Sequence, residues 1–207
     1  MDVRESYDSA AEAYAEHLFE EIERKPLDRR WLDRFADLVR GRGPTADLGC
    51  GPGHVARYLA ERGVDVFGID LSPVMVRVAR VRNSGLEFRV GDLRALDLPD
   101  GGLAGLVAFY AIVHLAADEL FPVFAELRRV LAPGGALLAA FHAGEETVHV
   151  EELFGRPVSL DFRFHQPDAV TRALRAASFE IVESVVREPY EGAEYPSRRC
   201  YIQATAS

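Results

Sequence analysis

Three aspartates, Asp47, Asp70 and Asp92, stand at near-even intervals in the first half of the chain, and each closes a short apolar run. That pattern sets a carboxylate at the carboxyl end of three successive strands. Around the first lies Thr45-Ala46-Asp47-Leu48-Gly49-Cys50-Gly51-Pro52-Gly53-His54, a strand running into a glycine-rich turn. Glycines at alternate positions let backbone N–H groups approach a ligand with no Cβ in the way, and they tolerate positive φ. A helix opens directly behind the turn, with Val55, Tyr58 and Leu59 as its apolar stripe. Its N-terminus supplies unpaired N–H donors and a partial positive charge, suited to a carboxylate or a phosphate. The stretch reads as a cofactor cradle, with Cys50 and His54 as part of its wall. Cys50 is a small residue that fits there rather than a thiol nucleophile.

Spacing decides which cofactor. A dinucleotide fingerprint requires G-x-G-x-x-G, and counting from Gly49 and Gly51 its third glycine falls on His54. No Gly-Lys-Ser/Thr follows, and Lys25 is the sole lysine, so a P-loop is excluded. The pattern is D-x-G-x-G-x-G. Asp47 would repel a pyrophosphate but could pair with an ammonium. S-adenosylmethionine, with its ammonium, carboxylate and sulfonium, fits an acid beside a nest of amides. Asp70, at the end of Val64–Asp70, is placed to take ribose hydroxyls, as acids do in other nucleotide-binding α/β sheets. Asp92 could accept a hydrogen bond from an adenine amine.

The elements that must hold these groups follow from periodicity. Residues 3–24 read as a helix with Tyr7, Ala11, Tyr14 and Leu18 on one stripe. Two buried phenols on one stripe each want a polar partner, which makes Tyr7 and Tyr14 candidates for ligand contact. A second helix runs from Leu27 to Leu38. Ser72-Pro73 caps another. Strands are expected at 64–70, 86–90, 106–110, 136–141, 180–187 and 200–205, and helices at 118–131 and 168–177. Strand and helix alternate from 45 to 142, which predicts a doubly wound parallel sheet. The last two strands, joined by a loop, should pair antiparallel at one edge. Val148–Leu153 and Pro157–Phe164 could form a hairpin around Gly155-Arg156.

Four segments together resemble successive motifs of the class I S-adenosylmethionine-dependent methyltransferases. They are Asp47 to Gly53, Gly68-Ile69-Asp70-Leu71-Ser72, Val90-Gly91-Asp92-Leu93, and Leu127-Arg128-Arg129-Val130-Leu131-Ala132-Pro133-Gly134-Gly135. The resemblance implies a Rossmann-like α/β fold, doubly wound. Its seven-stranded sheet is mostly parallel with one antiparallel edge strand, in the order 3-2-1-4-5-7-6. It implies S-adenosylmethionine as cofactor, with Gly49 and Gly51 along its methionine part, Asp70 on the ribose, and Asp92 with Leu93 on the adenine. Leu71 and Met75 would flank the adenine ring. Family members of this size act on small acids, phenols, amines, quinones and other acceptors, so the acceptor stays open.

The chain is expected to be one methyltransferase domain. Residues 1–43 form a helical cap, 44–142 the cofactor-binding core, 143–166 a lid insertion, and 167–207 the helix and hairpin that complete the sheet. The lid and the Tyr7–Tyr14 helix should cover the pocket and close on the acceptor, with Phe164 and His165 affecting turnover. His114, just past strand four, is the candidate general base, Tyr110 shapes the pocket beside it, and His142 is a weaker candidate. His142, His149 and His165 lie 7 and 16 residues apart, unlike the H-x₃₋₅-H of a structural zinc site, so no metal is expected.

Lys+Arg of 24 against Asp+Glu of 33 gives a net charge of −9, which argues against a nucleic-acid partner held by its phosphates. Two cysteines imply no disulfide framework. Without an apolar run near the ~20 residues of a membrane span, or a signal-peptide start, a cytoplasmic protein is expected, monomeric or homodimeric. The expected partner is a small-molecule methyl acceptor, reached by O- or N-methylation. An RNA or protein acceptor, or a non-catalytic cofactor-binding regulator, are the rival readings.

Overall fold

The apolar runs become a mixed sheet whose strand ends gather the acids. In the computed structural model, which describes residues 1–192 and 194–207, the strands are β1 (Thr45–Leu48), β2 (Val66–Asp70), β3 (Glu87–Val90), β4 (Leu103–Phe109), β5 (Leu131–Ala143), β6 (Thr147–Leu153), β7 (Arg156–Arg163), β8 (Phe179–Arg187) and β9 (Arg198–Ala206). Seven of them form one sheet in the order β3-β2-β1-β4-β5-β9-β8, while β6 and β7 pair separately. Five strands from β3 to β5 run parallel, and β9 runs antiparallel to β5 and to β8. With the β6–β7 insertion left out of the count, this is the expected order 3-2-1-4-5-7-6.

The helices are α1 (Val3–Leu18), α2 (Pro26–Val39), α3 (His54–Ala60), α4 (Pro73–Arg82), α5 (Leu120–Val130) and α6 (Pro167–Ala176). α1 starts on a capping box: the Asp2 carboxylate accepts the Glu5 N–H at 2.8 Å and Glu5 returns the bond to the Asp2 N–H at 3.0 Å. It is shorter than the expected 3–24. The chain from Glu21 to Arg24 tightens into a 3₁₀ turn that buries Ile22 and leads Lys25 inward, and Pro26 then opens α2.

β1 is buried at all four positions and β4 through its first six, as central strands covered on both faces must be. One apolar core lies between the sheet and α5–α6, with Phe124, Leu127 and Leu174 against Leu106 and Phe141. The other packs α2, α3 and α4 on the opposite face through Trp31, Phe35, Leu59 and Val76. Register aligns Asp47 with Gly68 and with Val107, so β1, β2 and β4 end together.

The hairpin forms as expected, but its apolar face is spent on α1. Val158 and Leu160 pack against Ala10, and the buried Ser6 hydroxyl both accepts the Ser159 N–H at 3.0 Å and donates to the Ser159 carbonyl at 3.3 Å. Among the described residues no helix is long and apolar enough to cross a membrane.

Candidate functional site

Where β1, β2 and β4 end, the chain leaves a cavity of about 110 Å³ roofed by α1. Its floor is the glycine turn. Gly49 sits at φ +62°, and a Cβ there would come within 2.9 Å of the Ala111 Cβ, so no other residue fits without displacing the segment after β4. Gly51, at φ +51°, faces the Tyr14 ring, to which an added Cβ would approach within 3.7 Å. The turn is held from the side by Asp70. Its Oδ2 accepts the Gly51 N–H at 2.8 Å and its Oδ1 accepts the Ser72 N–H at 2.9 Å. A carboxylate has about four acceptor positions, so two remain for the cavity. Burial pushes the Asp70 carboxyl above the usual range, against the pull of those two N–H groups.

The cavity brings together eleven of the residues expected from sequence: Tyr7, Tyr14, Gly49, Gly51, Asp70, Leu71, Met75, Asp92, Leu93, Tyr110 and His114. Three others lie behind its wall. Asp47 is buried and its Oδ2 accepts the Ala56 N–H at 3.0 Å, tying β1 to the first turn of α3. Burial pushes its carboxyl up to about 8, so near neutral pH it is largely protonated and offers no anion to an ammonium. Asp47 is not among the residues that line the cavity. Cys50 is buried among the apolar side chains of the α2–α4 face. His54 turns away from the turn and meets Glu21 at 3.3 Å.

None of the hairpin residues lines the cavity; the hairpin stands behind its wall, with Phe154 against Tyr14 and Phe162 against His114. His165 is buried with its Nε2 on the Ile112 carbonyl at 3.1 Å, and Phe164 stacks on His142. α1 lines the cavity through Val3, Tyr7 and Tyr14 and is latched where the Asp8 carboxylate accepts the Ser72 hydroxyl at 2.5 Å. Sequence reasoning also missed Arg94 in the lining, paired to Asp92 at 3.4 Å and to Glu119 at 2.9 Å. Its place two residues past the strand-end acid Asp92 is the signal that could have found it.

His114 is oriented by the hairpin. Its Nδ1 lies 2.8 Å from the Asp161 carbonyl, which can only accept, so Nδ1 carries the proton. In the neutral ring Nε2 is then a bare lone pair, and it accepts the Tyr7 hydroxyl at 2.8 Å. Burial lowers the His114 pKa below the usual imidazole value, which keeps the ring neutral at pH 7. Arg163 fixes the backbone on either side, donating from its N–H to the Val113 carbonyl at 2.7 Å and from Nη1 to the His114 carbonyl at 3.3 Å. Tyr110 adopts φ +57°, a strained conformation for a non-glycine residue. The kink turns the chain out of β4 and carries His114 to the cavity. Tyr110 lines the cavity, and burial raises its phenol well above its ordinary pKa. His142 is held by Ser197 at 2.6 Å, does not line the cavity, and its pKa is lowered to about 4 by burial, with Arg199 and Lys25 adding to the effect.

A doubly wound sheet with a glycine turn at one strand end and an acid at the next is the Rossmann-like arrangement that holds nucleotides in other α/β proteins. Residues 46–135 match the family model of a methyltransferase domain. The chain is 38% identical over 92 residues to malonyl-[acyl-carrier protein] O-methyltransferase of Serratia marcescens, covering 44% of this chain and 35% of that one. It is 38% identical over 119 residues to demethylmenaquinone methyltransferase of Thermus thermophilus, covering 54% and 53%. The crystal structure of a SAM-dependent methyltransferase from Methanosarcina mazei shares the fold with a TM-score of 0.69, at 20% identity, over 79% of this chain and 92% of that one. Residues 46–135 are thus similar to the methyltransferase domain, and the chain resembles S-adenosylmethionine-dependent methyltransferases in that segment and in its fold. It spans from about a third to a little over half the length of the curated relatives it matches.

Proposed function

We propose that this protein transfers a methyl group from S-adenosylmethionine to the oxygen or nitrogen of a small-molecule acceptor bound beneath α1. The observation that carries this reading is that the Asp70 carboxylate and His114, whose Nε2 accepts the Tyr7 hydroxyl, line one cavity with the glycine turn. The residues present fit the cofactor. Gly49 and Gly51 would leave room along its methionine part, Asp70 would offer its free acceptor positions to ribose hydroxyls, and Leu71, Met75, Asp92 and Leu93 would hold the adenine once α1 yields. When bound, the cofactor supplies an activated methyl on a sulfonium with a neutral leaving group. The protein's share is then alignment, which contributes about 7–11 kcal/mol in well-oriented reactions. Where the acceptor must lose a proton, His114 takes it, an effect of about 10²–10⁴-fold.

Relatives named for demethylmenaquinone and N-demethylindolmycin support a small acceptor, and one named for malonyl-[acyl-carrier protein] supports a small group borne on a carrier. The net charge of −9 weighs against an RNA acceptor. Incubation with methyl-labelled cofactor and a panel of small phenols, amines and acids tests the reading. Label should pass to at least one of them. Transfer to bulk RNA or protein, with none to the panel, would overturn the small-molecule assignment.

A further inference from the structure

The hydrogen bond from Tyr7 to His114 identifies the kind of acceptor. Resting on the methyltransferase reading, we infer that the acceptor is a neutral, acidic hydroxyl of the phenol or enol type, donating to His114 Nε2 from the position the Tyr7 hydroxyl holds, and not a carboxylate. Tyr7 is itself a phenol, it donates at 2.8 Å, and its ring stands edge-on to the imidazole with centroids 5.5 Å apart. It shows that an aromatic hydroxyl fits there with good geometry. The surroundings suit an aromatic ring, since Tyr14 and Tyr110 line the same cavity and Tyr14 lies 6.0 Å from Tyr7.

A carboxylate acceptor needs the opposite chemistry. It has no proton to give to Nε2, and it needs a free cation to offset its desolvation. Among the described residues lining the cavity, Arg94 is the single permanent cation, and Asp92 and Glu119 already engage it. Lys25 stands behind the Tyr110 ring in salt bridges to Glu21 and Glu194. Tyr7, Tyr14 and Tyr110 bring only neutral hydroxyls.

The reaction balances without another reagent. The acceptor O–H bond breaks and its proton passes to His114 Nε2. An oxygen lone pair forms the new bond to the methyl carbon, and the carbon–sulfur bond breaks with its pair left on sulfur. The products are a methyl ether, a neutral thioether and an imidazolium that releases its proton to solvent. A phenol, with a pKa near 10, is far better matched to an imidazole than an aliphatic alcohol would be. Tyr7 must leave His114 for the acceptor to enter, so α1 is the element that yields.

The test is a ring-matched set of phenols and benzoates, added to protein saturated with S-adenosylhomocysteine while the His114 imidazole is followed by NMR. Cofactor calorimetry is run first, so that failure of the methyltransferase reading, seen as no heat, is separate from failure of this one. Phenols should shift the His114 signals and benzoates should not. With methyl-labelled cofactor, kcat/KM for phenols should exceed that of matched benzoates at least tenfold. It should rise with pH through an ionisation below the usual histidine value, and that rise should vanish in His114→Gln. Tyr7→Phe, which cannot compete for Nε2, should lower the phenol KM at least threefold. Preference for benzoates, or His114 signals that no phenol moves while the cofactor binds, would overturn the inference.

Discussion

The Asp70 carboxylate and the Gly51 amide, 2.8 Å apart, join the end of β2 to the glycine turn after β1. One acid therefore shapes the turn and also lines the cavity that the turn floors. Asp70→Ala should weaken cofactor binding by about 2–4 kcal/mol, because hydrogen bonds to a charged group run near 1.5–3 kcal/mol each. It should also lower the melting temperature, since the Gly51 and Ser72 N–H groups lose their acceptor. Calorimetry beside a thermal melt separates the two effects. Parent-like affinity would show that the acid only ends a strand.

Asp47 predicts a pH effect on stability. Its burial raises the carboxyl to about 8 in the folded chain, against about 3.9 in an unfolded one. A raised acid holds its proton longer in the folded state, so folding loses stability as pH climbs from about 4 to about 8. Asp47→Asn keeps an oxygen for the Ala56 N–H and has no charge to bury. The difference in melting temperature, variant minus parent, should therefore grow in the variant's favour across that window. A flat difference would mean that Asp47 is ionised and paired.

Much of the framework was legible because it is local. The D-x-G-x-G-x-G turn, the run from Leu106 to Phe109, and Ser72-Pro73 each carry their structure within a few residues. What sequence hid was long-range. Nothing near Asp47 announces that α3 will close over it, since that depends on the Ala56 N–H nine positions on. Ser6 and Ser159 meet across 153 positions. That contact holds the hairpin against α1. His54 is drawn from the turn by Glu21, 33 residues earlier. His114 was found by its place after strand four, but the hairpin carbonyl that sets its tautomer lies 47 residues further along.

Arg187 should be the most damaging single loss in the buried charge network. It donates to Asp28 at 3.1 Å, to Tyr201 at 2.8 Å and to Glu194 at 2.6 Å. Arg187→Met would leave two buried carboxylates without that partner and should cost about 3–5 kcal/mol, measured by urea unfolding. Although burial opposes it, the Arg187 hydrogen bonds bring the Glu194 carboxyl down to about 2. A lowered acid stabilises the fold above its unfolded pKa of about 4.3, and that contribution is lost as pH falls toward 2. The variant should lose less than the parent over that interval. An unchanged urea midpoint would refute the role.

α1 should move for ligands to enter. The cavity of about 110 Å³ is smaller than the roughly 300–1,000 Å³ of typical ligand pockets. The latches are few: Tyr7 on His114, Asp8 on Ser72, and Ser6 on the hairpin. Hydrogen exchange should be fast along α1 relative to β4 without ligand, and slowed by cofactor. Equal protection of α1 and β4, unaffected by cofactor, would show a closed roof with no opening.

Calorimetric titration with S-adenosylmethionine and S-adenosylhomocysteine, against NAD as control, tests the assignment of the cavity most directly. Both sulfur ligands should bind at one site in the micromolar range, about −8 kcal/mol, and Asp70→Ala should weaken both. No heat and no thermal shift with either ligand, or a response to NAD in their place, would contradict it.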